Sequence, residues 1–275
     1  MSGTTSTQAD LSSVKARQQQ AWASGDYTAV ASRIVLVSEL LAETADLHAG
    51  WRVLDVACGN GNAALAAARS GTTAVGVDYV PALLKSARER AVAEGLDAEF
   101  RDADAEDLPF GDDEFDAVLS VFGSMFAPDH ERAAAEIARA CRPGGTIALA
   151  SWTPTSFVGD MFRTVSQYVH PPAGVASPVL WGDEAHLRDI FGATITDVRS
   201  TVRTCTFRYG SPEDFVTLFR RYYGPTNRAF ERLDGDDQIR LATDLAALAR
   251  KADLYQDGGS IAVPSTYLET IARRT

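Results

Sequence analysis

Short apolar runs bounded by polar or glycine-bearing turns recur through the middle of the chain, with segments of helical period between them. Arg52–Val56, Ala74–Asp78, Ala98–Asp102, Phe115–Val121 and Thr146–Ser151 read as strands. Helices are expected from Asn62, a suitable N-cap, to Arg69, from Pro81 onward, where proline fits a first helical turn, and over Asp129–Cys141. Such alternation implies a mostly parallel sheet with right-handed crossovers and helices on both faces.

The flanks follow other patterns. Leu11 to Ala23 has helical spacing, broken at Gly25-Asp26-Tyr27, and Val30–Ala45 reads as a second helix with Ile34, Val37, Leu40 and Leu41 on one face. After Trp152 come a helix over Asp160–Val169, a proline-rich loop from Pro171 to Pro178 and a short helix over Glu184–Phe191. Ile195–Arg208, with β-branched residues at alternating positions, reads as a long strand. Pro212–Tyr223 and Asp237–Lys251 are amphipathic helices, Ser260–Val263 is a last strand, and Tyr267–Arg274 is a closing helix or tail. The expected organisation is a disordered tail (1–10), a helical cover (11–50), an α/β core (51–152), and a segment that completes the sheet and adds helical insertions (153–275).

Composition narrows the partners more than the fold. The 275 residues are 45% hydrophobic and 23% charged, as in ordinary globular proteins. A net charge of -11 argues against nucleic acid, which is bound through clustered Lys and Arg. Cys58, Cys141 and Cys205 are odd in number and far apart, so no metal site is expected and reduced structural thiols in a cytoplasmic setting are. The start has no basic and apolar signal-peptide pattern, and no run has membrane-spanning length.

The candidate chemistry is concentrated in the first βαβ unit. Val53-Leu54-Asp55-Val56-Ala57-Cys58-Gly59-Asn60-Gly61 places two glycines between a strand and a helix, and the next strand ends in Asp78. Glycines there let the backbone approach a ligand, the free N–H groups of the following helix face an anion, and the carboxylate can accept from both hydroxyls of a ribose. This fingerprint also satisfies the dinucleotide pattern, so on the loop alone an NAD(P)-binding oxidoreductase stays open.

Three further segments follow in order: Asp104-Ala105-Glu106-Asp107-Leu108-Pro109-Phe110, Phe115-Asp116-Ala117-Val118-Leu119-Ser120, and Arg142-Pro143-Gly144-Gly145. Together with the glycine loop they resemble the class I S-adenosylmethionine-dependent methyltransferases, in the small-molecule branch similar to ubiquinone and menaquinone methyltransferases. The likeness is strong from Val53 to Trp152. It implies a Rossmann-like α/β fold with a seven-stranded sheet, and S-adenosylmethionine as cofactor, with S-adenosylhomocysteine as product. By the match, Asp55, Ala57, Gly59, Asn60 and Gly61 line the methionine end, Asp78 and Tyr79 the ribose and adenine, and Asp104 and the Ala105 N–H the adenine edge. Val121 and Phe122 face the methionine end from the fourth strand. Ala57 and Ala103 stand where the family has glycine.

Tyr27 and Arg33 of the cover are added to the cofactor residues, with Trp22 beside them. Trp22, Met125, Phe126, Trp152, Trp181, Tyr222 and Tyr223 would together form an apolar pocket for a small-molecule acceptor, though each alone suits core packing equally well. His130 is the one candidate general base, and Asp129-His130 serves as well as a simple helix start. His186 is expected in solvent. A third reading is a module that binds S-adenosylmethionine without acceptor chemistry.

Overall fold

The structure, a computed structural model, describes residues 11–275; the tail expected over 1–10 lies outside them. Seven strands form one sheet: β1 (Arg52–Val56), β2 (Thr73–Asp78), β3 (Ala98–Asp102), β4 (Phe115–Val121), β5 (Cys141–Trp152), β6 (Ile195–Tyr209) and β7 (Ile261–Arg274). Their order is β3-β2-β1-β4-β5-β7-β6, parallel except for β7, which runs antiparallel to both neighbours. β1 and β4 are buried on both faces, which is why they read as unbroken apolar runs.

The N-terminal helices are α1 (Leu11–Trp22), α2 (Thr28–Ala31) and α3 (Val35–Thr44). Crossovers within the core use α4 (Asn62–Arg69), α5 (Pro81–Glu94) and α6 (His130–Ala140). The later part contributes α7 (Phe157–Tyr168), α8 (Glu184–Phe191), α9 (Pro212–Tyr222), α10 (Gly224–Glu231) and α11 (Gly235–Ala252). Among the described residues no helix is long and apolar enough to cross a membrane.

Four local expectations are corrected. The expected Val30–Ala45 helix is two pieces, because Ile34 leaves helical geometry (φ -118, ψ 8), and Leu40 points outward instead of joining Ile34, Val37 and Leu41. Asn62 is the first residue of α4 and not its cap. The cap position is Gly61, in the left-handed region, and Asp55 Oδ2 accepts the Ala64 N–H at 2.8 Å in place of a local cap. The Arg142–Gly145 turn is a bulge inside β5: pairing with β4 jumps from Phe115–Cys141 to Ala117–Thr146.

The fourth correction is the end of the chain. The short strand and closing helix expected there are a single strand, β7, paired along its length between β5 and β6. Leu268, Ile271 and Ala272 fit helical spacing, but both faces of this strand are covered, so the apolar positions carry no period of two. On its other side β6 is the sheet edge; its register shifts between Thr196 and Arg199, with Asp197 at φ 50.

Candidate functional site

A cavity opens at the carboxyl ends of β1, β2 and β4 and is roofed by α1 and the start of α2. This is where a doubly wound sheet binds ligands, because strand order reverses beside β1. Asp55, Ala57, Cys58, Gly59 and Asn60 form one wall, and Ala57 holds a left-handed φ of 54 despite its Cβ. Asp55 gives Oδ2 to the helix, while Oδ1 accepts from no described residue. Burial pushes this carboxyl up to about 8, in spite of the Ala64 N–H.

Asp78 ends β2 and braces the loop. Oδ2 accepts from Gly59 N and Oδ1 from Val80 N, both at 2.9 Å, and each oxygen keeps a lone pair for a ligand. Burial pushes it up to about 6, against those amide contacts. Beside it, Tyr79, Leu83, Asp104 and Ala105 line the cavity. Asp104 Oδ1 accepts from Glu106 N at 2.9 Å, and Oδ2 takes Lys15 Nζ at 2.6 Å.

Lys15 belongs to the roof. It also reaches Glu106 Oε2 at 2.5 Å, Gln18 donates to the Phe126 carbonyl at 3.2 Å, and Gln19 donates to the Tyr79 carbonyl. One helix is thus tied to the segments after β2, β3 and β4. Its last residue, Trp22, meets Tyr27, Phe126 and Tyr223 edge-on, with centroids 5.5, 4.9 and 5.3 Å apart. The chain end of the roof sits so close to α10 that a Cβ on Gly224 would overlap the Ala21 carbonyl oxygen.

The remaining wall comes from Ile34 and Ser38, from Val121 at the end of β4, and from Phe122 and Gly123 just after it. Phe122 holds φ 55, donates its N–H to the Ala150 carbonyl at 2.8 Å, and stacks on Trp152 at 3.8 Å. Left-handed backbone at a non-glycine residue costs roughly 1–2 kcal/mol, and Ala57 and Phe122 carry it on the same cavity.

Of the residues expected at a cofactor, Tyr27, Asp55, Ala57, Gly59, Asn60, Asp78, Tyr79, Asp104, Ala105, Val121 and Phe122 line this cavity. Two do not. Arg33 is exposed and donates to the Ala29 carbonyl of its own turn, because the break at Ile34 turns it outward. Gly61 faces away from the ligand side, where a Cβ would meet Phe100 and Ala87 at 2.9 and 3.1 Å; its glycine serves helix-to-strand packing.

Of the expected acceptor pocket, only Trp22 and Phe126 reach the cavity. Met125, Trp152, Trp181 and Tyr223 are core, and Tyr222 is a half-buried residue at the end of α9. Trp152 and Tyr223 act one layer back, behind Phe122 and Trp22.

His130 is buried away from the lining. Its Nδ1 lies 2.9 Å from His186 Nε2, so His186 is a partner and not a solvated residue. Burial, and then His186, push His130 down to about 4, and its ring packs on Trp181. It is a core histidine, out of reach of a ligand in the cavity.

Sequence reasoning passed over Lys15, Gln18, Ile34, Ser38, Cys58, Asn62, Ala63, Leu83, Gly123, Ala127 and Pro128, all on the lining. Asn62, Ala63 and Gly123 could have been found as neighbours of the motifs. The roof and α3 residues carry no local signal, since they reach the cavity only through the fold.

The ligand implied by the resemblance fits these groups. Asp78 has lone pairs for ribose hydroxyls. Asp55 Oδ1 and the buried Ser38 Oγ lack partners among the described residues, and the N–H groups of Asn62 and Ala63 open α4. Those groups suit a zwitterion.

Comparison with known proteins agrees. A family profile described as a methyltransferase domain matches residues 54–149. An uncharacterized protein of Mycobacterium tuberculosis, Rv1403c, is 41% identical over 218 residues, which is 78% of this chain and 80% of the relative. The demethylmenaquinone methyltransferase of Thermus thermophilus is 35% identical over 164 residues, 54% of this chain and 74% of the relative. The YcgJ protein of a Bacillus species shares the fold, with a TM-score of 0.61 at 22% identity over 86% of this chain and 97% of that one. Glycine loop, strand-end carboxylate, sheet order and relatives converge: the chain belongs to the class I S-adenosylmethionine-dependent methyltransferases.

Proposed function

We propose that the chain methylates a small, apolar or aromatic metabolite. The observation that carries this reading is the lining on the β4 side: Trp22, Phe122 and Phe126 are aromatic, and Lys15, the cation among the lining residues, is already paired with Asp104 and Glu106. Among the described residues an acidic acceptor would find no free positive charge there. The Thermus relative, named for demethylmenaquinone, points to the same kind of acceptor.

When bound, S-adenosylmethionine supplies a methyl group on a positively charged sulfur, ready for in-line displacement. The chain's part is to bind, align and exclude water. Asp78 accepts from the ribose hydroxyls, Tyr79, Asp104 and Ala105 hold the adenine, and Asp55 Oδ1 accepts from the amino group. Ala57, Gly59 and Asn60 let the loop pass close to the ligand, and Tyr27 and Trp22 close the top. With His130 removed from candidacy, no base among the described residues touches the acceptor side, which suits a nucleophile that needs little help to lose its proton. In this reading residues 11–50 are the cover, 51–152 bind the cofactor, and 153–275 complete the sheet and back the acceptor wall. The three cysteines are unpaired, in keeping with a reducing cytoplasm.

Titration calorimetry with S-adenosylmethionine and with NAD tests the cofactor, the first binding and the second not. Incubating the chain with labelled cofactor and metabolite fractions tests the acceptor. Label appearing only in polar, anionic products would sink the apolar reading.

A further inference from the structure

We infer that Ser38 is a cofactor-binding residue, whose hydroxyl donates to the α-carboxylate at the amino-acid end of S-adenosylmethionine. The inference deepens the cofactor assignment and rests on it. Ser38 is 0% exposed, lines the cavity, and its Oγ has no hydrogen-bond partner among the described residues. A buried hydroxyl without a partner costs free energy, so its retention calls for a cause.

The usual internal remedy is not taken. A helical Ser or Thr can bond the carbonyl four residues back, as Thr44 of the same helix does to Leu40 at 2.8 Å. Ser38 does not. Nor is the region short of polar order: Ser120 Oγ, also buried, donates to Val56 O at 2.8 Å and accepts from Ser124 N at 3.0 Å.

Ser38 shares the lining with Asp55 and with Asn62 and Ala63 at the start of α4. α3, which carries Ser38, packs on α4. The Ala64 N–H is spent on Asp55 and the Leu65 N–H on Gly61 O, which leaves the N–H groups of Asn62 and Ala63 without acceptors among the described residues. A helix N-terminus with two free N–H groups, one orphan hydroxyl and one free carboxylate oxygen matches an amino acid: carboxylate to the N–H groups and Ser38, ammonium to Asp55. The glycine loop thereby acquires a partner from the cover, so the cofactor would help hold α3 in place.

The test separates the amino-acid end from the nucleoside. Ser38→Ala and the wild-type chain are titrated with S-adenosylhomocysteine and with 5′-methylthioadenosine, which lacks the amino-acid group, and apo melting is recorded. The expected result is about tenfold weaker binding of S-adenosylhomocysteine, unchanged binding of 5′-methylthioadenosine, and a higher apo Tm because the orphan hydroxyl is gone. Equal losses for both ligands, or unchanged affinity for both, would overturn the inference, the first by returning Ser38 to a packing role. If the wild-type chain bound neither ligand, the cofactor assignment would fall, and the inference with it.

Discussion

Two regions line the same cavity by different means. The wall from β1 to β4 is made by residues near one another in sequence: Asp78 braces Gly59 19 positions away, and Asp55 caps a helix 9 positions on. The roof is made by distant ones. Lys15 meets Asp104 across 89 positions, and Gln18 meets Phe126 across 108. The wall is mostly buried backbone and carboxylate, while α1 fully buries a single residue, Val14. A site can therefore have a ligand identity fixed by a contiguous motif and a closure that depends on weak, long-range side-chain contacts.

The comparison is most exposed to pH. Asp55 and Asp78, both in the wall, hold their protons to about 8 and about 6. The folded chain then binds protons that the unfolded chain, with ordinary carboxyls near 4, has already lost. The contribution is present at low pH and lost as pH rises through these values. Apo stability should fall by several kcal/mol between pH 5 and 8, and saturating cofactor should flatten the fall by favouring the ionised carboxylates. Melting curves over that range, with and without ligand, check it; a fall that persists at saturation would detach the carboxyls from the ligand.

Next in size is Asp78→Ala, which should weaken S-adenosylmethionine binding by about 1.5–3 kcal/mol in calorimetry, the range for a hydrogen bond to a charged group. Unchanged affinity would move the ribose elsewhere. Gly224→Ala probes the roof's anchorage: the overlap with the Ala21 carbonyl forces a shift, costing about 1–3 kcal/mol of stability by denaturant unfolding and weakening the cofactor as well. The smallest effect belongs to Lys15→Ala. Its partly exposed pair with Asp104 is worth about 0–1 kcal/mol, so the wall should bind nearly as before while the off-rate rises in stopped-flow displacement, and the cation lost beside the buried Glu106 lowers apo stability instead of affinity. A loss from Lys15→Ala as large as from Asp78→Ala would erase the distinction between wall and roof.

How much of this was legible follows from the same division. The strand pattern and the segments at Asp55–Gly61, Asp78 and Asp104–Phe110 gave fold and cofactor, because a parallel sheet writes its strands as apolar runs and a glycine turn is local. Arg33 misled because one residue, Ile34, breaks a helix that periodicity reads as continuous, and the break turns Arg33 outward. The acceptor aromatics were sorted poorly for another reason. Trp152 and Phe122 are chemically alike, and only their stacking decides which faces the cavity. Ser38 was invisible as sequence, since a serine's missing partner is a property of the packed state. The last strand was misread because both its faces are covered, which removes the alternation that marks a strand.

The outer edge of the sheet has a consequence for self-association. β6 presents 15 residues, one of them the exposed Val202, along a border that could template pairing with another copy. The bulge at Asp197 breaks the flat run of donors and acceptors, and the exposed Arg199 and Arg208 set like charges along the same border, which a second copy would bring together. The border is thus guarded by shape and by like charge. Removing both guards, by straightening the bulge and neutralising the arginines, would turn the edge into an assembly surface without altering the cavity at the ends of β1, β2 and β4.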